Sequence, residues 1–245
     1  DYKGKHTIVV GSRASGADLS KLLADTNENV YQSIRTDAIV KARTKKQNVQ
    51  FKPVIQEYQI LSKENEPFSF KVIFSDGSEV HNPDYIVYAT GYQWSFPFLN
   101  RYGQNVIGKE ITKEGKIIQN LYQHSFLIDE PLLTFVGVPV DGISFRVFEF
   151  QAVLIARYLA GKVALPSKDD QQKWADERLK VKGLTRAYHT LGLDEAVQFL
   201  QVITELGRVE EGVKVGREFP VHKKEDIERA TKSAQDLFEN WDLRT

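Results

Sequence analysis

The stretch TIVVGSRASGADLSKLL, Thr7 to Leu23, limits the fold more than any other part of this chain. A β-branched apolar run, TIVV, suits a strand buried on both faces. It runs into Gly11-Ser12-Arg13-Ala14-Ser15-Gly16 and then into a segment with Ala17, Leu19, Leu22 and Leu23 at helical spacing. Gly11 permits a tight turn off the strand, and Gly16 lets the helix pack closely on the sheet. The free N–H groups of the first helical turn then face a pyrophosphate. Arg13 stands where such loops usually carry a middle glycine, so the match to the phosphate-binding pattern is incomplete.

A second strand, Val30 to Ile34, follows at the distance expected of a βαβ unit. Its end decides between dinucleotides. A carboxylate there accepts a ribose 2′-hydroxyl, whereas a serine or arginine receives a 2′-phosphate. The strand ends at Ser33 and Arg35, with no acidic residue before Asp37, which points to NADP(H). A surface arginine at a strand end is the plain alternative. Next, EYQILSK and FSFKVIFSDGSEV alternate like antiparallel strands, with Asp76-Gly77 as the hairpin turn. Ile86, Val87 and Tyr88 then read as a buried strand closed by the small residues Ala89, Thr90 and Gly91, where backbone or ligand can approach closely.

Composition excludes several functions. Basic and acidic residues balance at 33 each, with no long basic run, which argues against nucleic acid as an obligate partner. No apolar run approaches the roughly 18 residues of a membrane span. Cys is absent, which removes disulfides, thiolate metal sites and a dithiol centre together and favours a reducing, cytoplasmic setting. His6, His81, His124, His189 and His222 are scattered without metal-ligand spacing and read as structural or surface groups, so no metal site is expected. His124 has no sequence neighbour that marks it as a proton shuttle. Met is absent as well, which suggests a fragment or an internally trimmed chain.

Three motifs in order resemble one family. ATGYQWSFPFL (Ala89–Leu99), LYQHSFLIDEPLLTFVGVPV (Leu121–Val140) and FRVFEFQAVLIARYLAGKVALPS (Phe145–Ser167) look like the domain-crossing strand and the returning flavin segment of flavin-containing monooxygenases, especially fungal ones. The opening loop resembles the family's second dinucleotide site, the NADPH one. The resemblance implies an α/β, Rossmann-like two-dinucleotide flavoprotein fold, with residues 1–88 as the NADPH domain carrying an antiparallel insertion. Residues 89–167 would be the return segment of the FAD domain, and 168–245 a helical extension. It further implies NADP(H) and FAD as cofactors. NADPH reduces the flavin, a C4a-hydroperoxide forms, and one oxygen passes from it to a thiol or amine. The FAD loop that opens such proteins is not found in these 245 residues, so the chain reads as a partial copy. Its expected partners are a small thiol or amine, oxygen, and a missing FAD-binding half or a second copy. The cytosolic face of the endoplasmic reticulum is an alternative location. Two other readings stay open: a non-catalytic NADP-binding remnant, and a related disulfide-reductase-type enzyme.

LLTFVGVPV reads as a buried strand ending at Pro139. Phe145 to Leu159 reads as a helix apolar on nearly every face, closed at Gly161 and Pro166. That helix's N-terminus offers partial positive charge to the pyrimidine edge of a reduced flavin. Gly137, Asp141 and Phe145 are therefore expected beside the isoalloxazine. Two charged helices are expected within 168–207. A last one, about Lys224 to Trp241, carries the stripe Ile227, Ala230, Ala234, Leu237, Phe238 and Trp241.

Overall fold

A computed structural model describes residues 2–35, 46–99, 112–113, 115–141 and 143–220, together with Arg229 and Lys232. Asp37 and nearly all of the expected last helix lie outside the described residues. The chain divides into two compact units, with Asp1–Tyr92 in the first and Gln93–Thr231 the second.

In the first unit the strand-turn-helix forms as read. Strand β1 (His6–Val10) leads into helix α1 (Ala14–Leu23), then β2 (Asn29–Ser33) and β3 (Val49–Lys52). After β4 (Ile55–Ile60), β5 (Phe70–Phe74) and β6 (Glu79–His81), the chain returns as β7 (Tyr85–Tyr88). The main sheet runs β3-β2-β1-β7, every pair parallel. Successive β1 residues serve opposite faces. Val9 packs with Leu23, Ala24 and Val30 under α1, and Ile8 with Val72, Phe74 and Val80 of the insertion. That two-sided burial explains the unbroken apolar run. Strands β4-β5-β6 form the expected antiparallel insertion, with Gly77 at φ +80° in the hairpin.

Two details differ from expectation. Helix α1 turns Gly16, Ala17, Ser20 and Leu23 inward and leaves Leu22 exposed. The close approach at Gly16 sets this phase, since the small residues must face the sheet. Strand β7 is not buried: Ile86 and Val87 are half-covered, and Tyr88 is 62% exposed. Among the described residues it has one neighbour in the sheet, β1.

The second unit holds the short hairpins β8 (Thr112–Lys113) with β9 (Ile117–Ile118) and β10 (Leu121–Tyr122) with β11 (Phe126–Leu127). Helices α2 (Ser144–Leu159), α3 (Lys168–Lys182) and α4 (Gly192–Leu206) follow, with one 3₁₀ turn at Arg186–His189. Phe126, Phe150, Leu154, Phe199 and Ile203 share one core with Ala175, so the return segment and the helices after Ser167 pack together. Helix α3 begins with a Ser167 hydroxyl accepting the Asp170 N–H and ends at Gly183, φ +66°.

LLTFVGVPV is not a strand. It makes two isolated bridges, Phe126 to Thr134 and Val140 to Thr190, because Gly137 at φ +88° and Pro139 interrupt any ladder. Helix α2 is apolar on nearly every face, as read, but buried on one side only: Phe145, Ala152, Ala156 and Leu159 face outward. It buries Val147, Phe150, Leu154 and also Gln151 and Arg157, while Phe145 is 90% exposed.

Candidate dinucleotide site

At the carboxyl edge of the parallel sheet the chain reverses direction across β1: it proceeds to β2 and β3 on one side, then returns to β7 on the other. Ligands of open α/β sheets bind at such a switch point. Gly11 lies there at φ +128°, a conformation reserved in practice for glycine. A methyl group on Gly11 would collide with the main-chain carbonyl of Ala89, its carbon being 2.8 Å away. One on Gly16 would collide with the Gly11 carbonyl, whose carbon lies at 2.6 Å. Strand, turn, helix and crossing strand therefore touch backbone to backbone, and only these two glycines permit it.

The turn is held from both sides. Gly11 donates its N–H to Ser33 O at 3.0 Å, Gln32 Nε2 donates to Gly11 O at 3.0 Å, and Ala89 donates to Val10 O at 2.8 Å. Gln32 is buried and was not marked by its residue type. The available signal was a polar residue at an inward place of β2, in step with Val30. Arg13, at the disputed middle place, has φ −82° and ψ −170°, extended backbone that any residue adopts, and it is the residue before the helix. The absence of a middle glycine is thus conformationally neutral.

The first turn of α1 carries no acidic side chain, and no side chain caps it. The first N–H groups of a helix have no partner within it and carry partial positive charge. A cradle closed to Cβ atoms, with no carboxylate in it, fits a pyrophosphate. Ser12 is half-buried, while Ala14, Ser15, Thr90 and Gly91 are exposed. Ser33 is buried with its hydroxyl donating to Pro53 O at 2.9 Å, and Arg35 stands exposed just beyond the strand.

The structure brings Gly11, Gly16, Ser33 and Ala89 together: Gly11 bonds to Ser33, Ala89 bonds to the adjoining Val10, and Gly16 and Ala89 both meet Gly11 backbone to backbone. Gly137, Asp141 and Phe145 belong to the second unit. There a methyl group on Gly137 would meet the Phe148 ring at 3.8 Å, and the Phe145 ring stands edge-on to Phe148 with centroids 6.5 Å apart. Gly137 donates its N–H to Gln151 Oε1 at 3.1 Å. Helix α2 also has no acidic residue in its first turn.

His124, read as a structural group, has a partner that the sequence does not mark. Its Nδ1 lies 2.9 Å from Nδ1 of His189, both rings being buried. Burial holds both imidazoles neutral, His124 well below the ordinary range and His189 at about 3, with cationic Arg178 reinforcing each shift. The pairing spans 65 residues, and no local pattern announces it. Among the described residues no group of acidic residues and histidines is placed to hold a metal ion.

A parallel sheet with a phosphate turn at its switch point defines a dinucleotide-binding α/β protein. The chain belongs to the flavin-binding monooxygenase-like family, whose model matches residues 65–209. Members of that family use FAD and NADPH. The chain is 28% identical over 210 residues to flavin-containing monooxygenase ustF2 of Aspergillus flavus, covering 80% of this chain and 42% of that protein. It is 35% identical over 188 residues to flavin-containing monooxygenase FMO GS-OX-like 9 of Arabidopsis thaliana, covering 75% and 38%. The chain thus spans about two fifths of the length of these relatives. The structure of S-allyl-L-cysteine S-oxygenase from Allium sativum shares the fold, with a TM-score of 0.66 at 23% identity over 98% of this chain and 52% of that one.

Proposed function

We propose that this chain carries the NADPH-binding unit and part of the FAD-facing unit of a monooxygenase that delivers one oxygen atom to a thiol or amine. The backbone contact of Gly16 on Gly11 and of Gly11 on Ala89 carries the reading, in a chain of this family. Gly11 to Gly16 would seat the pyrophosphate against the start of α1, and Arg35 would receive the 2′-phosphate, while Ser33, whose hydroxyl proton goes to Pro53 O, would help only by shaping the strand end. Ala89, Thr90 and Gly91 leave room for a ligand at the end of β7. In the second unit, the N-terminus of α2 with Gly137, Asp141 and Phe145 would lie along the flavin. FAD, when bound and reduced by NADPH, supplies the oxygen chemistry; the protein orients and keeps water out.

Among the described residues no helix is long and apolar enough to cross a membrane. A cytoplasmic setting is part of the proposal, supported by the lack of Cys. Calorimetric titration with NADPH and with NADH tests the first unit, and equal affinities would refute the role of Arg35. Co-expression with a flavin-binding N-terminal half tests the second. A yellow complex that consumes NADPH supports an enzyme, whereas NADPH binding without flavin or turnover identifies a remnant. An Asp141→Lys variant with unchanged flavin content and reduction rate would remove the α2 assignment.

A further inference from the structure

The turn between β10 and β11 holds an unusual conformation. Gln123 and His124 have φ +47° and +54° in succession, and Ser125 N–H closes the turn on Tyr122 O at 3.0 Å. Hairpins with two such residues normally use Asn-Gly or similar pairs, because other side chains strain there. Something outside the turn must therefore hold it.

The hydrogen bonds around His124 show what does. Ile118 donates its N–H to His189 Nε2 at 3.0 Å, so that nitrogen carries no proton. In the neutral ring the proton then sits on Nδ1 and is donated to His124 Nδ1 at 2.9 Å. His124 in turn carries its proton on Nε2, which has no oxygen or nitrogen partner among the described residues. The His124 ring stands edge-on to Trp174 and Tyr188, with centroids 5.3 and 6.2 Å away. His189 is fixed from outside as well. Arg178 donates to the carbonyls of Tyr188 and Thr190, the residues flanking it, and pairs with Glu195.

Beyond the turn, a polar chain continues into α2. The Ser125 hydroxyl donates to Gln123 O at 3.0 Å and accepts from Gln151 Nε2 at 2.8 Å. Gln151, wholly buried, accepts the Gly137 N–H at its other end.

We infer that His124 and His189 are positioning residues: their bond holds the Gln123–His124 turn in its left-handed form, so that Ser125 fixes Gln151 and Gln151 fixes the main chain at Gly137. The geometry stands by itself. Its bearing on flavin placement rests on the reading of α2 given above.

The test uses the whole 245-residue chain without flavin, so it is independent of that reading. Amide exchange of Gly137 is followed by NMR in His124→Leu, His124→Asn and His189→Phe variants. Asparagine tolerates the left-handed conformation and leucine does not. Gly137 should exchange about tenfold faster in His124→Leu and His189→Phe, with α3 amides unchanged and most protection restored in His124→Asn. Equal behaviour of the Leu and Asn variants, or a uniform acceleration across the core, would overturn the inference by reducing the pair to packing. If the Leu and Phe variants fail to fold, imidazole nitrogen shifts of the wild-type chain decide. A proton on Nδ1 of His189 and on Nε2 of His124 between pH 8 and about 5.5 supports the device. The reverse tautomers, or a charged ring in that range, refute it.

Discussion

Substituting Gly16 by alanine tests whether the opening turn binds a dinucleotide. Residue 16 is the third residue of α1, and alanine suits a helix better than glycine, so propensity alone predicts a gain. The contact predicts the opposite. The added methyl would lie 2.6 Å from the Gly11 carbonyl carbon, where ordinary contacts begin at 3.4 Å, so α1 must retreat by roughly 1 Å. The Gly11 carbonyl cannot yield easily, because Gln32 and the Gly11–Ser33 bond hold it. Overpacking of this kind costs about 1–3 kcal/mol, or roughly 2–12 °C in Tm for a chain of this size. On the proposed reading, the same retreat would move the helix N–H groups away from the pyrophosphate. Losing one or two charge-assisted bonds weakens NADPH by about 10- to 100-fold. Scanning calorimetry and isothermal titration read the two effects. Gly77→Ala is the control: φ is +80° but no atom lies within 4 Å, so stability drops by about 1 kcal/mol without a change in NADPH affinity. A folded Gly16→Ala chain that binds NADPH within about twofold of wild type would refute the reasoning.

Arg35→Gln should weaken NADPH by about 10- to 100-fold and leave NADH unchanged, as titration of both would show. Arg157 donates to the carbonyls of Gly207 and Arg217, each at 2.7 Å, and lies over the Phe219 ring. Arg157→Leu orphans both carbonyls and should cost about 2–4 kcal/mol, seen as a lower Tm and faster proteolysis beyond Gly207. Stability should also fall in acid. His189 is held at about 3 in the folded chain against 6.5 ordinarily, so the unfolded chain binds more protons between those values. The protein is therefore fully stabilised above about pH 6.5 and loses up to about 1.4 kcal/mol per pH unit per imidazole below it. Denaturant titrations from pH 8 to 4 measure the slope, and His189→Phe should flatten it.

Local chemistry made part of this structure legible. TIVV announces a strand covered on both faces, and Gly11 and Gly16 announce a close approach, because in each case the residue type itself carries the constraint. Asp76-Gly77 is equally explicit. The phase of α1 was not, since Leu22 and Leu23 are equally apolar and only the contact at Gly16 decides which faces the sheet. LLTFVGVPV has strand composition, but Gly137 and Pro139 outweigh it once the chain must turn toward α2. The His124–His189 bond and Gln32's hold on Gly11 join residues far apart in sequence; spacing carries no trace of the first, and of the second only the inward place of Gln32, in step with Val30. Phe145 has the apolar character of a core residue yet stands in the open, because which side of α2 is covered depends on what packs there.

The extended backbone of Arg13 has a practical corollary for recognising such domains. Because that place accepts every L-amino acid, a search pattern insisting on three glycines discards chains like this one, while a pattern built on the outer two retains them. The same tolerance makes residue 13 a convenient position for a saturation library: charge at the lip of the proposed pyrophosphate cradle can be varied from cationic to anionic without straining the backbone.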